Sequence, residues 1–338
     1  MKAIGIYEAR STDHPEIFQE ANLATPSPAT RDLLVKVKAV GVNPVDTKVR
    51  KSVAGRLDEM KVLGWDAVGI VEAVGSEVSL FEVGDEVYYA GSITRAGCNS
   101  EYHVVDERIV GKKPQSLSAL EAAAMPLTTI TAWEALFERL SISLEGKNSS
   151  RSILIVGGAG GVGSIAIQLA SQLAKLKVIA TASRKKTVDW CKQMGADECI
   201  NHYEDLAEQL KSIGNETVDY VLCLNSTDLH WDAIAQVIKP QGKICTIVEN
   251  TGPLAQSILK KKSATHVWEL MFTKSMYKTE DMQTQHDLLN QAADLFDKGV
   301  LRTTLTTDMG ELSVESLAKA HAQLESGTTI GKIALSLS

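Results

Sequence analysis

Residues 153–170 read ILIVGGAGGVGSIAIQLA, with five glycines among the seven positions 157–163. No charged residue falls between Arg151 and Lys175, so hydropathy alone admits a membrane span here. The clustering of the glycines decides otherwise. Residues 153–156 form a short apolar run of the kind that makes a buried parallel strand, and residues 162–176 repeat apolar side chains at helical spacing. Between them Gly158, Gly160 and Gly163 spell G-x-G-x-x-G, the order of a dinucleotide-binding turn. There the first glycine turns the chain, the second admits a pyrophosphate close to the backbone, and the third lets helix and strand pack closely. Free N–H groups at the helix start then face the phosphates. A spanning helix does not carry such a knot of glycines after four residues, so the stretch is read as a cofactor cradle.

Working outward, SILIVGG, KVIATAS, ECIN, VDYVLCLN and GKICTIVE alternate with helical segments, one of them over about 185–194. Five such strands imply a parallel, doubly wound sheet with right-handed crossovers. Upstream, LLVKVKAVGV alternates with period two, and AVGIVEAVG and VGDEVYYAG are short runs punctuated by glycine, the pattern of a β module. The tail carries a helix near 314–326 and a last strand, GKIALSLS, and returns to that module. The expected organisation is α/β, with one domain over 1–125 rejoined by 303–338 and a second over 126–302. Residues 250–283 are less regular, with Lys260, Lys261 and Lys262 followed by VWELMF. They read as a solvated loop before an amphipathic helix, with a lid or subunit contact through Trp268 and Phe272 as the alternative.

A chain of 338 residues with 44% hydrophobic content has room for two cores. A formal charge of −7 and an isoelectric point near 5.6 argue against nucleic acid or anionic membrane as the main partner. The opening MKAIGIYEARS lacks an apolar core of signal-peptide length, and the expected location is cytoplasmic. Five cysteines without a C-x-x-C pair read as reduced thiols. Cys199, Cys223 and Cys245 fall in strand-like runs and are expected to be buried, whereas Cys98, in GSITRAGCNSEY, is expected near solvent.

In the NAD version of this turn a carboxylate about twenty residues on accepts bonds from the ribose. Here that place reads TASRKK, 181–186, and the next acid is Asp189 in the following helix. Ser183 and Arg184 suit a 2′-phosphate, with Lys185 or Lys186 adding a weaker attraction, so NADPH is the expected cofactor. Cations at a helix start oppose its dipole, which argues that a ligand favours them there.

GGAGGVGSIAIQLA in mid-chain, GVNPVDTKVR and VGDEVY before it, and MGADECINH after the second strand together resemble the medium-chain dehydrogenase/reductase superfamily. The likeness is closest to its quinone oxidoreductase and zinc-type alcohol dehydrogenase-like branch, and covers essentially the whole chain. The resemblance implies a GroES-like β domain, a Rossmann domain and an active site in the cleft between them. It places Asn43 and Asp46 beside the nicotinamide and its ribose, and Thr131 near the same end of the cofactor. The cofactor set is then Thr131, Gly158, Gly160, Gly161, Val162, Gly163, Ser183, Arg184, Lys185, His202 and Asn225. Trp65 either packs against a planar acceptor or is a core residue, and Asp46 either acts there or only braces its loop.

The zinc enzymes of that superfamily bind metal through a cysteine where this chain has Asn43 and a histidine where it has Trp65. AAAMPLTTIT supplies no further cysteine, and the four-cysteine structural lobe is missing. No zinc is therefore expected. Reduction of a quinone or an α,β-unsaturated carbonyl, a small electrophile, is the reading that remains. Tyr88, Tyr89 and His103 are not placed by spacing, and no general acid is assigned. A protein that binds NADPH without turnover and a zinc-type alcohol dehydrogenase stand as alternatives. A homodimer is implied by the resemblance and by the open edge of the sheet.

Overall fold

The computed structural model describes residues 1–144 and 146–337, which divide into two units, Met1–Ile130 with Phe272–Ser338, and Thr131–Met271. The first unit opens with β1 (Lys2–Glu8), β2 (Gln19–Asn22), β3 (Asp32–Val42), helix α1 (Pro44–Lys51) and β4 (Arg56–Val62). It continues through β5 (Asp66–Val74), β6 (Glu86–Tyr89), β7 (Tyr102–Asp106), β8 (Val110–Lys112) and helix α2 (Ala119–Ala123). Helix α3 (Pro126–Trp133) runs across the division.

The period-two run in β3 buries Leu33, Val35, Val37 and Ala39, so this strand sits at the centre of the larger sheet. One of its edges pairs antiparallel with β5; the other is shared, with β7 taking the Asp32 end. β1, β2 and β4 form a separate three-stranded sheet in the order β2-β1-β4.

The second unit alternates strictly: β9 (Ser152–Val156), α4 (Gly161–Gln168), β10 (Lys177–Thr181), α5 (Lys185–Met194), β11 (Glu198–Ile200), α6 (Leu206–Ser212), β12 (Val218–Cys223), α7 (Thr227–Val237), β13 (Ile238–Thr246) and β14 (Thr265–Trp268). Its strands are parallel in the order β11-β10-β9-β12-β13-β14, the doubly wound arrangement. β9 is buried along its whole length because helices cover both faces. Leu154 and Val156 meet Trp231, Ile234 and Leu210 in one core layer.

Sequence periodicity predicts five strands here, and the sheet has a sixth. THVW, 265–268, lies on the edge with one neighbour, so its side chains are exposed or only half-buried and it lacks the apolar run of an inner strand. The basic cluster before it is not simply solvated. Lys262 Nζ donates to the carbonyls of Ala235, Gln236 and Ile238 at 2.9, 2.6 and 2.8 Å, filling acceptors left open at the end of α7.

After α8 (Thr273–Tyr277) comes α9 (Thr284–Asp297), then β15 (Leu305–Glu311), α10 (Val314–Glu325) and β16 (Lys332–Ser336). Residues 272–302 are grouped by the sequence pattern with the nucleotide-binding domain, yet they belong to the first unit. The reason is α9, whose Leu289 carbonyl accepts from Tyr88 Oη at 2.6 Å. Leu289 also lies so close to Gly111 of β8 that a Cβ there would come within 2.5 Å of it. β16 pairs parallel with β15 and antiparallel with the end of β3, Ile333 opposite Val42. Among the described residues no helix is long and apolar enough to cross a membrane.

Candidate functional site

The carboxyl ends of β9, β10, β11 and β12 carry most of the residues expected to bind cofactor. Gly157 follows β9 with φ +86°, Ser183 follows β10, His202 follows β11 and Asn225 follows β12. A doubly wound sheet binds nucleotides at this edge. The turn falls on Gly157, one residue before the glycine that the motif reading assigns to it. Gly158 instead serves packing: a Cβ there would stand 2.8 Å from Ala180 Cβ and 3.1 Å from Cys191 Sγ. Gly163 is required where α4 crosses the turn, since its Cβ would meet the Gly157 and Gly158 carbonyl oxygens at 2.5 and 2.6 Å.

Gly160 differs from both. Its φ of −73° and ψ of 176° suit any residue, and the nearest atom to an added Cβ is an ordinary contact at 3.7 Å. Neither backbone nor packing within the chain asks for glycine here. A cradle whose open side faces a ligand does, so the residues present fit a dinucleotide pyrophosphate beside the first turn of α4. Thr181 braces the loop, its Oγ1 accepting from Gly157 N at 3.0 Å. Ser164 in α4 accepts from Trp190 Nε1 in α5 at 2.7 Å, tying the two helices together.

Gly161 and Val162, at the start of α4, are half-buried, Ser183 is half-buried, and Arg184 is exposed at the start of α5. Lys185 is exposed and pairs with Asp189 at 2.8 Å, an i,i+4 surface pair of small energetic weight. Asn225 is exposed and borders the turn, its Cβ 3.5 Å from where a Cβ on Gly157 would stand. His202 is half-buried against Tyr203 at 4.3 Å, and burial holds its imidazole below the ordinary value. Thr131 is buried on α3.

The first unit gathers the other expected residues. Asn43 precedes α1 and its N–H donates to Asp46 Oδ2 at 2.7 Å. Its Nδ2 donates to Asp66 Oδ2 at 2.8 Å, and Asp66 Oδ1 accepts from Leu127 N at 2.7 Å. Lys332 Nζ, from β16, donates to both Asn43 Oδ1 and Asp66 Oδ2. Burial pushes the Asp46 carboxyl up to about 7, against the pull of the Asn43 N–H and of Lys332. Asp66 is pushed up by burial and drawn back by Lys332, the Asn43 amide and the Leu127 N–H. No motif in the sequence marks Asp66 or Lys332. Asp66 follows Trp65 directly, but the lysine is 266 residues away and no local pattern joins them.

Trp65 is fully buried and meets Phe272 edge-on at 6.3 Å, so in this structure it is a core residue and presents no face to an acceptor. Phe272 is buried with it. Cys98 is also fully buried, contrary to the solvent exposure its polar neighbours suggest. Its N–H donates to the Gly64 carbonyl at 2.7 Å and that of Asn99 to Leu63 at 3.0 Å, which tucks the loop under residues 63–66. Burial, together with Asp46 and Asp66, pushes its thiol well above the ordinary range. Cys199, expected to be buried, is half-exposed on the edge strand β11. Burial lowers His103 to about 4, leaving a neutral ring between Tyr89 Oη at 3.1 Å and the Ala96 carbonyl at 3.0 Å.

A tetrahedral zinc has no donor set at this corner. Asn43 offers a neutral amide already engaged at both ends, Trp65 offers an indole, and the Asp66 carboxylate is taken by an ammonium. Among the described residues no group of three or more histidine, cysteine or acidic side chains is placed to hold a metal.

A GroES-like β unit and a Rossmann unit on one chain define a pyridine-nucleotide oxidoreductase. Residues 29–115 match the family model described as alcohol dehydrogenase GroES-like domain, and residues 194–335 the model described as zinc-binding dehydrogenase. The chain is 42% identical over 338 residues, all of both chains, to a zinc-type alcohol dehydrogenase-like protein of Staphylococcus epidermidis. It is similar to the structure of a candidate zinc-dependent alcohol dehydrogenase from Rhizobium etli, with 47% identity, a TM-score of 0.94 and coverage of 99% and 98%. It is also similar to Escherichia coli quinone oxidoreductase complexed with NADPH, with 26% identity, a TM-score of 0.82 and coverage of 99% and 100%. The chain belongs to the medium-chain dehydrogenase/reductase superfamily.

Proposed function

We propose that the protein is an NADPH-dependent, zinc-independent oxidoreductase that reduces a quinone or another α,β-unsaturated carbonyl. The observation that carries the reading is Gly160, a glycine that neither its own backbone nor its neighbours require. When bound, NADPH supplies the hydride. The chain's part is to hold and orient. Gly160, Gly161 and Val162 bring backbone to the pyrophosphate, Ser183 and Arg184 take the 2′-phosphate, and His202 and Asn225 complete the sheet-edge cradle. On the β unit, Asn43 and Asp46 attend the reacting end, as does Thr131 on α3. Electrophilic acceptors suit a site whose polar groups are an amide and carboxyls, with no donor set for a Lewis acid.

The test is steady-state oxidation of NADPH and NADH with a small quinone, in the wild type and in Arg184→Ala, before and after dialysis against a strong chelator. Dialysis should change neither rate. Arg184→Ala should weaken NADPH by roughly ten- to a hundredfold, about 1.5–3 kcal/mol, with little effect on NADH. Equal losses for both cofactors would remove Arg184 from the phosphate site, and inactivation with loss of stoichiometric zinc would refute metal independence.

We further propose a homodimer. β14 is an edge strand, with its last residue Trp268 45% exposed and Leu270 just after it 49% exposed, and pairing between two copies would cover both. Light scattering should give about twice 36.5 kDa across a dilution series, and a monomer mass throughout would count against it.

A further inference from the structure

The last strand carries a cation into the corner held by Asn43 and Asp66. With Ile333 opposite Val42 in the register of β16 and β3, Lys332 comes to lie beside Asn43. The residue is 3% exposed, and its Nζ donates to the Val42 carbonyl at 3.0 Å, to Asn43 Oδ1, and to Asp66 Oδ2 at 3.1 Å. An ammonium has three N–H donors, and each is used. An unpaired ammonium so deeply buried would be expelled or neutralised, whereas here one acceptor is a carboxylate.

Both ends of the Asn43 amide are engaged, Oδ1 by Lys332 and Nδ2 by Asp66, so the amide has one orientation. Asn43 in turn precedes α1 and holds Asp46 through its own N–H. Leu127 N, at the start of α3, completes the Asp66 shell. One ammonium thus joins the ends of four segments: β3, β5, β16 and, through Asp66, α3.

We propose that Lys332 is a positioning residue for the acceptor side of the site, a resident cation that locks the Asn43 amide against Asp66 and so sets the start of α1, where Asp46 lies. The inference rests on the hydride-transfer reading given above. It assigns Lys332 two separable effects. Its charge compensates Asp66, which bears on stability; its N–H donation orients Asn43, which bears on turnover.

The experiment compares Lys332→Met, Asp66→Asn and the double variant in the full chain, by apo melting, NADPH titration, and kcat and KM for a small quinone. Lys332→Met strands a buried carboxylate and should lower the folding equilibrium constant on the order of a hundredfold or more. Adding Asp66→Asn removes that charge and should recover most of the loss. The double variant should keep wild-type affinity for NADPH, yet its kcat should stay about ten- to a hundredfold low, because no ammonium then donates to Asn43 Oδ1 and the amide loses one of its two anchors. A double variant no more stable than Lys332→Met would overturn the charge pairing. Wild-type kcat in the double variant would reduce Lys332 to a structural counter-ion and overturn the positioning role. A wild type that reduces no acceptor would refute the hydride-transfer reading and this positioning role with it; recovery of stability in the double variant would then still report the Lys332–Asp66 pair.

Discussion

Gly163→Val should abolish cooperative melting of the nucleotide-binding unit, while Gly160→Val should melt close to the wild type and lose NADPH. The two positions are three residues apart in one turn, and the same side chain is added at each. At 163 the new Cβ would stand 2.5 and 2.6 Å from two carbonyl oxygens of the backbone, which cannot swing aside as a flexible side chain does. The cost should exceed the roughly 1–3 kcal/mol typical of overpacking. At 160 the backbone is extended and the only contact is at 3.7 Å, so the apo fold has room. The valine then projects where a pyrophosphate must approach, and NADPH affinity should fall by at least about tenfold, 1.4 kcal/mol. Apo melting and NADPH titration measured side by side decide it. Equal destabilisation at both sites would assign Gly160 to the fold, and unchanged binding in Gly160→Val would remove the glycine turn from the cofactor site.

Trp65→Ala should destabilise the β unit by about 3–5 kcal/mol, the range for emptying a large aromatic from a core. The side chain is fully buried against Phe272, and its indole N–H has no protein acceptor among the described residues. Trp65→Phe should therefore cost far less than the alanine variant, because it keeps most of the apolar contact and removes an unsatisfied donor. Denaturant unfolding of the three proteins checks this. Unchanged stability in Trp65→Ala, with only a raised KM for the acceptor, would show instead that the ring is a pocket wall.

The contrast between these two predictions follows what can be read locally. A strand, a turn and a helix that are contiguous in the chain announce themselves through spacing, so the glycine loop and the basic place after the second strand are legible from residues 153–186 alone. Even there the division of labour was displaced by one position, since Gly157 holds the left-handed turn and Gly158 is needed for packing against β10 and α5. Trp65 could be read either way, because an aromatic side chain suits a core and a planar ligand equally well. The solvent exposure expected for Cys98 came from its polar neighbours in sequence, whereas its burial comes from backbone bonds to Leu63 and Gly64.

By itself the sequence determined the α/β class, the two kinds of domain and the glycine-rich turn between β9 and α4, because periodicity and glycine spacing act over a few residues of continuous backbone. Tertiary structure alone decided that α9 docks on β8, since an amphipathic helix does not state which sheet its apolar face will meet. It also decided the edge strand β14, whose exposed and half-buried side chains lack the pattern of an inner strand. Above all it decided the Lys332–Asn43–Asp66 lock. A buried charge is stable only where its partners converge, and these converge across 266 and 289 residues through the pairing of the last strand with the third.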